Sequence, residues 1–256
     1  MTPSNAPRFW LWPNLLSLDA PIVALLWQIL FARCFHADVP AVAAALLVLA
    51  VWLIYAADRV FDARGGSKLP RHEFYRRHWR TVLPIWTAAF AFASWLAWTR
   101  LPTPLLRRGA LIAVAVALYF TVVHAVRRTW PKELAVAILF ALGATVAAWN
   151  AIRSAADVEV VVLFSCLCWI NCMAIEKWER RGFHWPIGIA ATLVAAAAAF
   201  TCVDRPVLGG AEMASAIAFI FLDFRRRRIS ADALRVLADV ALLTPVFFLP
   251  FAGILR

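Results

Sequence analysis

Charge is scarce in this chain. Asp, Glu, Lys and Arg make up 16% of its 256 residues, hydrophobic residues make up 64%, and mean hydropathy is +0.76. A soluble domain is roughly 25% charged and 45–50% apolar, so the composition excludes an ordinary soluble globule and points to a membrane protein. The five cysteines (Cys34, Cys166, Cys168, Cys172 and Cys202) form no C-x-x-C pair, and His72, His78, His124 and His184 show no metal spacing. A zinc site is therefore not expected, and the three cysteines between 166 and 172 read as small packing residues in one apolar run. Glycine is also rare, at 9 residues, and no Gly/Pro-broken helices recur in matching halves, which argues against a secondary transporter. The N-terminal stretch has one Arg and no small-residue cleavage site, so it is expected to be retained.

Trp and Phe are abundant, with 13 and 18 copies against 3 Tyr. Trp10, Trp12, Trp79, Trp98, Trp130 and Trp185 fall near the ends of apolar runs, where an interfacial aromatic belt would place them. The net charge of +11 sits mainly in short loops between those runs. That distribution predicts a role in topology and contact with lipid headgroups, and no nucleic-acid partner.

A span needs about 20 mostly apolar residues. Candidates cover 20–36, 40–57, 80–98, 108–124, 134–150, 158–175, 185–202, 207–222 and 236–255. The expected fold is an all-α integral membrane protein, with about nine transmembrane helices around a central cavity in a single domain, 1–256. Asp19-Ala20-Pro21 opens the first span, with Asp as a cap for free N–H groups and Pro in the first turn. The N-terminal segment and the loops after even spans hold 19 Lys and Arg; the other loops and the C-terminus hold 7. The positive-inside rule then puts the N-terminus in the cytoplasm and the C-terminus outside, in the plasma (inner) membrane.

Two acid-base segments follow spans two and six: Asp58-Arg59-Val60-Phe61-Asp62 and Glu176-Lys177-Trp178-Glu179-Arg180. This topology places both on one face, joined by Arg127, Arg128 and Lys132 after span four. Arg64-Gly65 and Arg181-Gly182 follow them alike, hinting at an internal duplication of spans 1–4 and 5–8. On continuous helix, Asp58/Asp62 at i, i+4 and Glu176/Glu179 at i, i+3 each share a face. Carboxylates at a membrane boundary are costly, so the repeated pair reads as a site. The bland alternative is charge capping a span end.

Four facing carboxylates repel unless a cation lies between them, and hard oxygen ligands suit Mg²⁺ with added phosphate oxygens. Arg59, Arg127, Arg128, Lys132 and Lys177 would hold the remaining phosphate charge. Arg127 and Arg128 serve equally well as topogenic charges, and Arg225 to Arg228 read as a lipid-facing cluster. The partner these residues predict is a lipid diphosphate with its tail between helices, activated as a leaving group. The allylic cation left behind suits Trp and Phe walls. Asn171 lies before Glu176 and either lines the cavity or bonds across helices.

At these residues the chain resembles the UbiA superfamily of intramembrane prenyltransferases, with nine helices and aspartate-rich motifs after helices two and six. Asp58 and Asp62 match the last two acids of its N-D-x-x-D-x-x-x-D motif. Ser17 to Pro21 resembles its first-helix start, Tyr119 to Arg128 the stretch ending helix four, and Asn171 to Gly182 the second motif. The resemblance covers most of the chain in layout and some 30 residues in motif. It implies a Mg²⁺-dependent prenyltransferase acting on a prenyl diphosphate, with a lipophilic or aromatic acceptor. Asp58, Asp62, Glu176 and Glu179 would hold metal, and Tyr119 and Asn171 would line the cavity. Two departures stand out: Ile54 and Tyr55 occupy the motif's Asn and first Asp, and Glu176-x-x-Glu179 replaces D-x-x-x-D. A terpene cyclase on the same fold is the second reading, supported by the scarcity of Tyr. A non-catalytic protein on that scaffold is the third, supported by Ile54 and Tyr55.

Overall fold

The computed structural model describes residues 9–64, 70–125, 132–179 and 186–253; side chains of 62–64, 70–73 and 124–125 lie outside that description. Every described element is helical. A bilayer has no water to satisfy free backbone N–H and C=O groups, and helices satisfy their own. After the short helix α1 (Trp12–Leu15), eight of the nine apolar runs form a helix: α2 Asp19–Cys34, α3 Ala41–Arg64, α5 Trp79–Arg100, α6 Thr103–Ala125, α7 Lys132–Thr145, α8 Ala155–Glu179, α9 Ile187–Thr201 and α10 Pro206–Arg225. A 3-10 stretch, Val146–Ala151, extends α7.

Among the described residues six helices are long and apolar enough to cross a membrane. A seventh counts if the bent pair Phe9–Leu15 and Asp19–Cys34 forms one span. The nine-span expectation differs from this at two places. At about 1.5 Å per residue, the 15-residue α9 rises only about 22 Å, short of the ~30 Å core. The run expected as a ninth span, 236–255, is not one helix. Helix α11 (Ala231–Ala241) stops there, and a separate turn, α12 (Pro245–Phe248), follows. Pro245 has no N–H and cannot continue the helix from α11. One short helix was unforeseen, α4 (Pro70–Arg77), between spans two and three.

The bend before α2 turns at Ser17, which holds a left-handed φ of 56°. Asp19 is the first residue of α2 and not its N-cap, which is Leu18. Its carboxylate accepts from the Ala20 N–H at 3.0 Å and from Asn14 Nδ2 at 2.5 Å. The core gathers around Trp27, stacked on Phe164 at 4.3 Å and donating from Nε1 to the Leu242 carbonyl at 2.8 Å. Helices α9 and α10 meet at Gly209, where an added Cβ would come within 2.7 Å of Thr201 Oγ1. In contrast, no residue of α5 is buried. Its outward Phe90, Phe92, Trp95 and Trp98 form the apolar surface that a lipid-facing helix requires.

Candidate functional site

The site is built where several helices reach one end of the bundle. From α3 come Tyr55, Asp58 and Arg59; from α7, Lys132 and Glu133; from α8, Cys168, Asn171, Cys172 and Glu176. The start of α2 adds Asp19 and α11 adds Asp239. Asp58, Lys132, Glu133 and Asp239 all lie within electrostatic reach of Cys172, so the first acidic segment and the end of α8 share one neighbourhood. Beneath them is a cavity of about 20 Å³, room for roughly one water. Its walls include Ala20, Val23, Val136, Phe140 and Leu242, and its polar groups are Tyr55, Asn171 and Asp239.

The carboxyl groups occur in pairs. Glu133 and Glu176 hydrogen-bond one another across α7 and α8. Asp19 and Asp239 do the same across α2 and α11. Two carboxylates cannot both be ionised at hydrogen-bond distance without a proton or cation between them. Asn171 borders this small cavity, and its Nδ2 donates to Asp239 Oδ1 at 3.1 Å. Among the described residues, no three of His, Cys, Asp and Glu converge closely enough to hold a metal by themselves.

The second acidic segment divides. Glu176 turns to Glu133 and the cavity end. Lys177 Nζ is 3.1 Å from Asp223 on α10, where Arg226 also sits at 3.2 Å. Glu179 accepts from Arg235 on α11 at 3.0 Å. At i, i+3, Glu176 and Glu179 share a broad face, yet the neighbouring helices offer them opposite charges. Lys132 lies 4.0 Å from Glu133. Arg59 acts electrostatically on Asp239 and on Tyr75. Tyr119 meets Phe120 edge to face at 5.6 Å, and Phe120 reaches Phe61 of α3 at 6.1 Å. Arg127 and Arg128 lie outside the described residues, as does the Asp62 side chain.

Sequence reasoning missed Glu133, Asp239, Asp223 and Arg235. A signal existed for Asp239, an acid inside an apolar run expected to cross the membrane. Glu133 was hidden beside Lys132, which drew the attention as a basic residue. No family model, curated protein or solved structure matches the chain. The fold and composition define a helical membrane protein with an acidic, partly enclosed site at one end of its bundle.

Proposed function

We propose that the chain is a UbiA-like prenyltransferase, built on nine membrane-inserted helices with its N-terminus cytoplasmic and its C-terminus outside. The single observation that carries this reading is the convergence of Asp58, Lys132 and Glu133 on Cys172, one turn from Glu176, at the polar end of an apolar cavity. A lipid diphosphate needs that combination: charge partners at one end and apolar walls below.

The oxygen donors are of the kind a hard divalent cation takes, and a metal would have to draw them together, since among the described residues no three of these groups converge. The Glu133–Glu176 contact leaves two carboxyl groups that a shared cation would relieve, with Asp58 close by. The ligands proposed are Asp58, Asp62, Glu176 and Glu133. Glu179 is instead given a structural role, because Arg235 holds it. Mg²⁺, when bound, would offset the charge of the diphosphate. Lys132 and Arg59, with Arg127 and Arg128, would orient the diphosphate oxygens. The C–O bond to the allylic carbon then breaks with its electron pair leaving on diphosphate. A nucleophilic acceptor supplies the new pair and loses a proton. The partly enclosed cavity is only water-sized, so a prenyl tail must part the helices that border it.

The test is diphosphate release by detergent-purified protein from C10 to C20 prenyl diphosphates, with and without Mg²⁺ and with products extracted for mass analysis. Release that needs Mg²⁺ and falls in Asp58→Asn supports the reading. A cyclic product without added acceptor would replace it with the cyclase. No release and no Mg²⁺-dependent substrate binding in folded protein would replace it with a non-catalytic role.

A further inference from the structure

The α2 and α11 pair carries an inference independent of the prenyltransferase reading. Asp19 and Asp239 are in hydrogen-bond contact, and each is gripped by an amide. Asn14 Nδ2 donates to Asp19, and Asn171 Nδ2 donates to Asp239. Spending the amide N–H groups this way leaves both amide oxygens over: Asn14 Oδ1 and Asn171 Oδ1 are enclosed and have no donor among the described residues. Asn14 itself is only 3% exposed, so bulk solvent does not reach that oxygen. Each orphan oxygen is bonded to the same carbon as the nitrogen that touches a carboxylate, so it lies beside the pair. The result is an excess of acceptors around the Asp19–Asp239 contact, two carboxylates and two amide oxygens, with Tyr55, Asn171 and Asp239 at the cavity wall. Buried polar atoms without partners are rare in native proteins and call for an explanation.

We propose that Asp19, Asp239, Asn14 and Asn171 form a site for a hard metal cation, Mg²⁺ or Na⁺, with a ligand set distinct from Asp58 and Glu176 at the same end of the bundle. Oxygen-only donors of this kind select such ions over thiolate- or imidazole-seeking metals. Arg59 acts on Asp239 and offsets part of the carboxylate charge, which leaves a net negative pocket for the ion. Bound there, the cation would clamp α2 to α11, across the sequence from Asp19 to Asp239.

The experiment is thermal unfolding of the detergent-purified full chain, titrated with MgCl₂, NaCl or choline chloride. Wild type should gain roughly 3–6 °C at saturating Mg²⁺ or Na⁺ and nothing from choline at equal ionic strength. In the Na⁺ titration, to which the Mg²⁺ ligands proposed around Asp58 do not contribute, the gain should vanish in Asp239→Asn and Asp19→Asn and persist in Asp58→Asn. Asn171→Ala keeps both carboxylates and should need about tenfold more ion, so a failure of the Asp variants to fold does not stop the test. A wild type that responds to neither ion, or a response lost in Asp58→Asn yet kept in Asp239→Asn, overturns the proposal. The first of these means the pair shares a proton. Diphosphate release is a separate readout, so this site and the prenyltransferase reading stand or fall apart.

Discussion

Glu179 at the end of α8 and Arg235 on α11 form an ion pair at 3.0 Å, with side-chain exposures of 11% and 4%. Asp232 also approaches Arg235, at 3.5 Å, but is half exposed. Removing one member of a buried pair leaves the other charge uncompensated, at a cost of about 3–5 kcal/mol. Arg235→Ala should therefore unfold well below wild type. The double variant with Glu179→Gln should recover part of the loss. Equal midpoints for the single and double variants would mean the pair contributes nothing.

The carboxylates of the acidic end should differ in their effect on turnover. Under the prenyltransferase reading, Asp58→Asn and Glu133→Gln should each lower Mg²⁺-dependent diphosphate release by about 100-fold or more, a loss of ~3 kcal/mol in the barrier. Glu179→Gln should lower it less than tenfold in protein that remains folded. The reverse ranking would return Glu179 to the metal and remove Glu133 from it.

Gly209 is the contact point of α9 and α10. A Cβ there would sit 2.7 Å from Thr201 Oγ1, 2.8 Å from the Ala198 carbonyl and 2.9 Å from the Cys202 N–H nitrogen. Two of those three atoms are backbone, so relief requires the helices to separate. Small residues at such crossings let membrane helices approach closely. Gly209→Ala should cost about 1–3 kcal/mol by overpacking, read as a lower midpoint in detergent. An unchanged midpoint would show that α9 is free to shift.

Glu212 is fully buried in α10, and neither carboxyl oxygen has a partner among the described residues. A polar group buried without a partner costs stability, so replacing it should cost nothing. Glu212→Gln and Glu212→Leu should unfold at or above the wild-type midpoint. A fall of several degrees in both would reveal an interaction that this carboxyl makes in the membrane.

Tyr75 on α4 donates from its hydroxyl to Ser17 Oγ at 3.1 Å and is 3% exposed. Burial pushes its phenol up from the ordinary value of 10.0, and the Ser17 bond and Arg59 only partly oppose that. The folded state therefore holds the proton more tightly than the unfolded chain. The stabilisation is fully present below about pH 10 and is lost as pH rises through the higher folded value. Wild type should lose stability above pH 10 more steeply than Tyr75→Phe. Parallel pH profiles from 8 to 11 would refute this.

The apolar runs carried the helices well, because twenty consecutive apolar residues have few other ways to satisfy their backbone. Helix α4 escaped notice because Arg71, His72, Arg76 and Arg77 read as a basic loop, while Phe74 and Tyr75 anchor it against Trp12 and Ser17. The break after Ala241 was marked by Pro245, yet the surrounding Leu and Phe residues kept the run apolar. At the site, the acids at the ends of α3 and α8 stood out against apolar sequence. Their partners did not, since Asp239 lies 68 residues beyond Asn171 and Arg235 lies 56 beyond Glu179, and only packing brings α11 to α8. Spacing alone predicted a Glu176/Glu179 pair, and Arg235 on one side and Glu133 on the other draw the two apart in role.

Helix α5 turns every residue at least partly outward, and the most apolar stretch of α6, within Thr103–Val123, buries none. Such helices have traded protein neighbours for acyl chains, which makes the surrounding lipid a structural component in its own right. The choice of amphiphile should then act like a mutation in this half of the molecule. A short-chain detergent should loosen α5 and α6 first, while the Trp27–Phe164 core stays assembled.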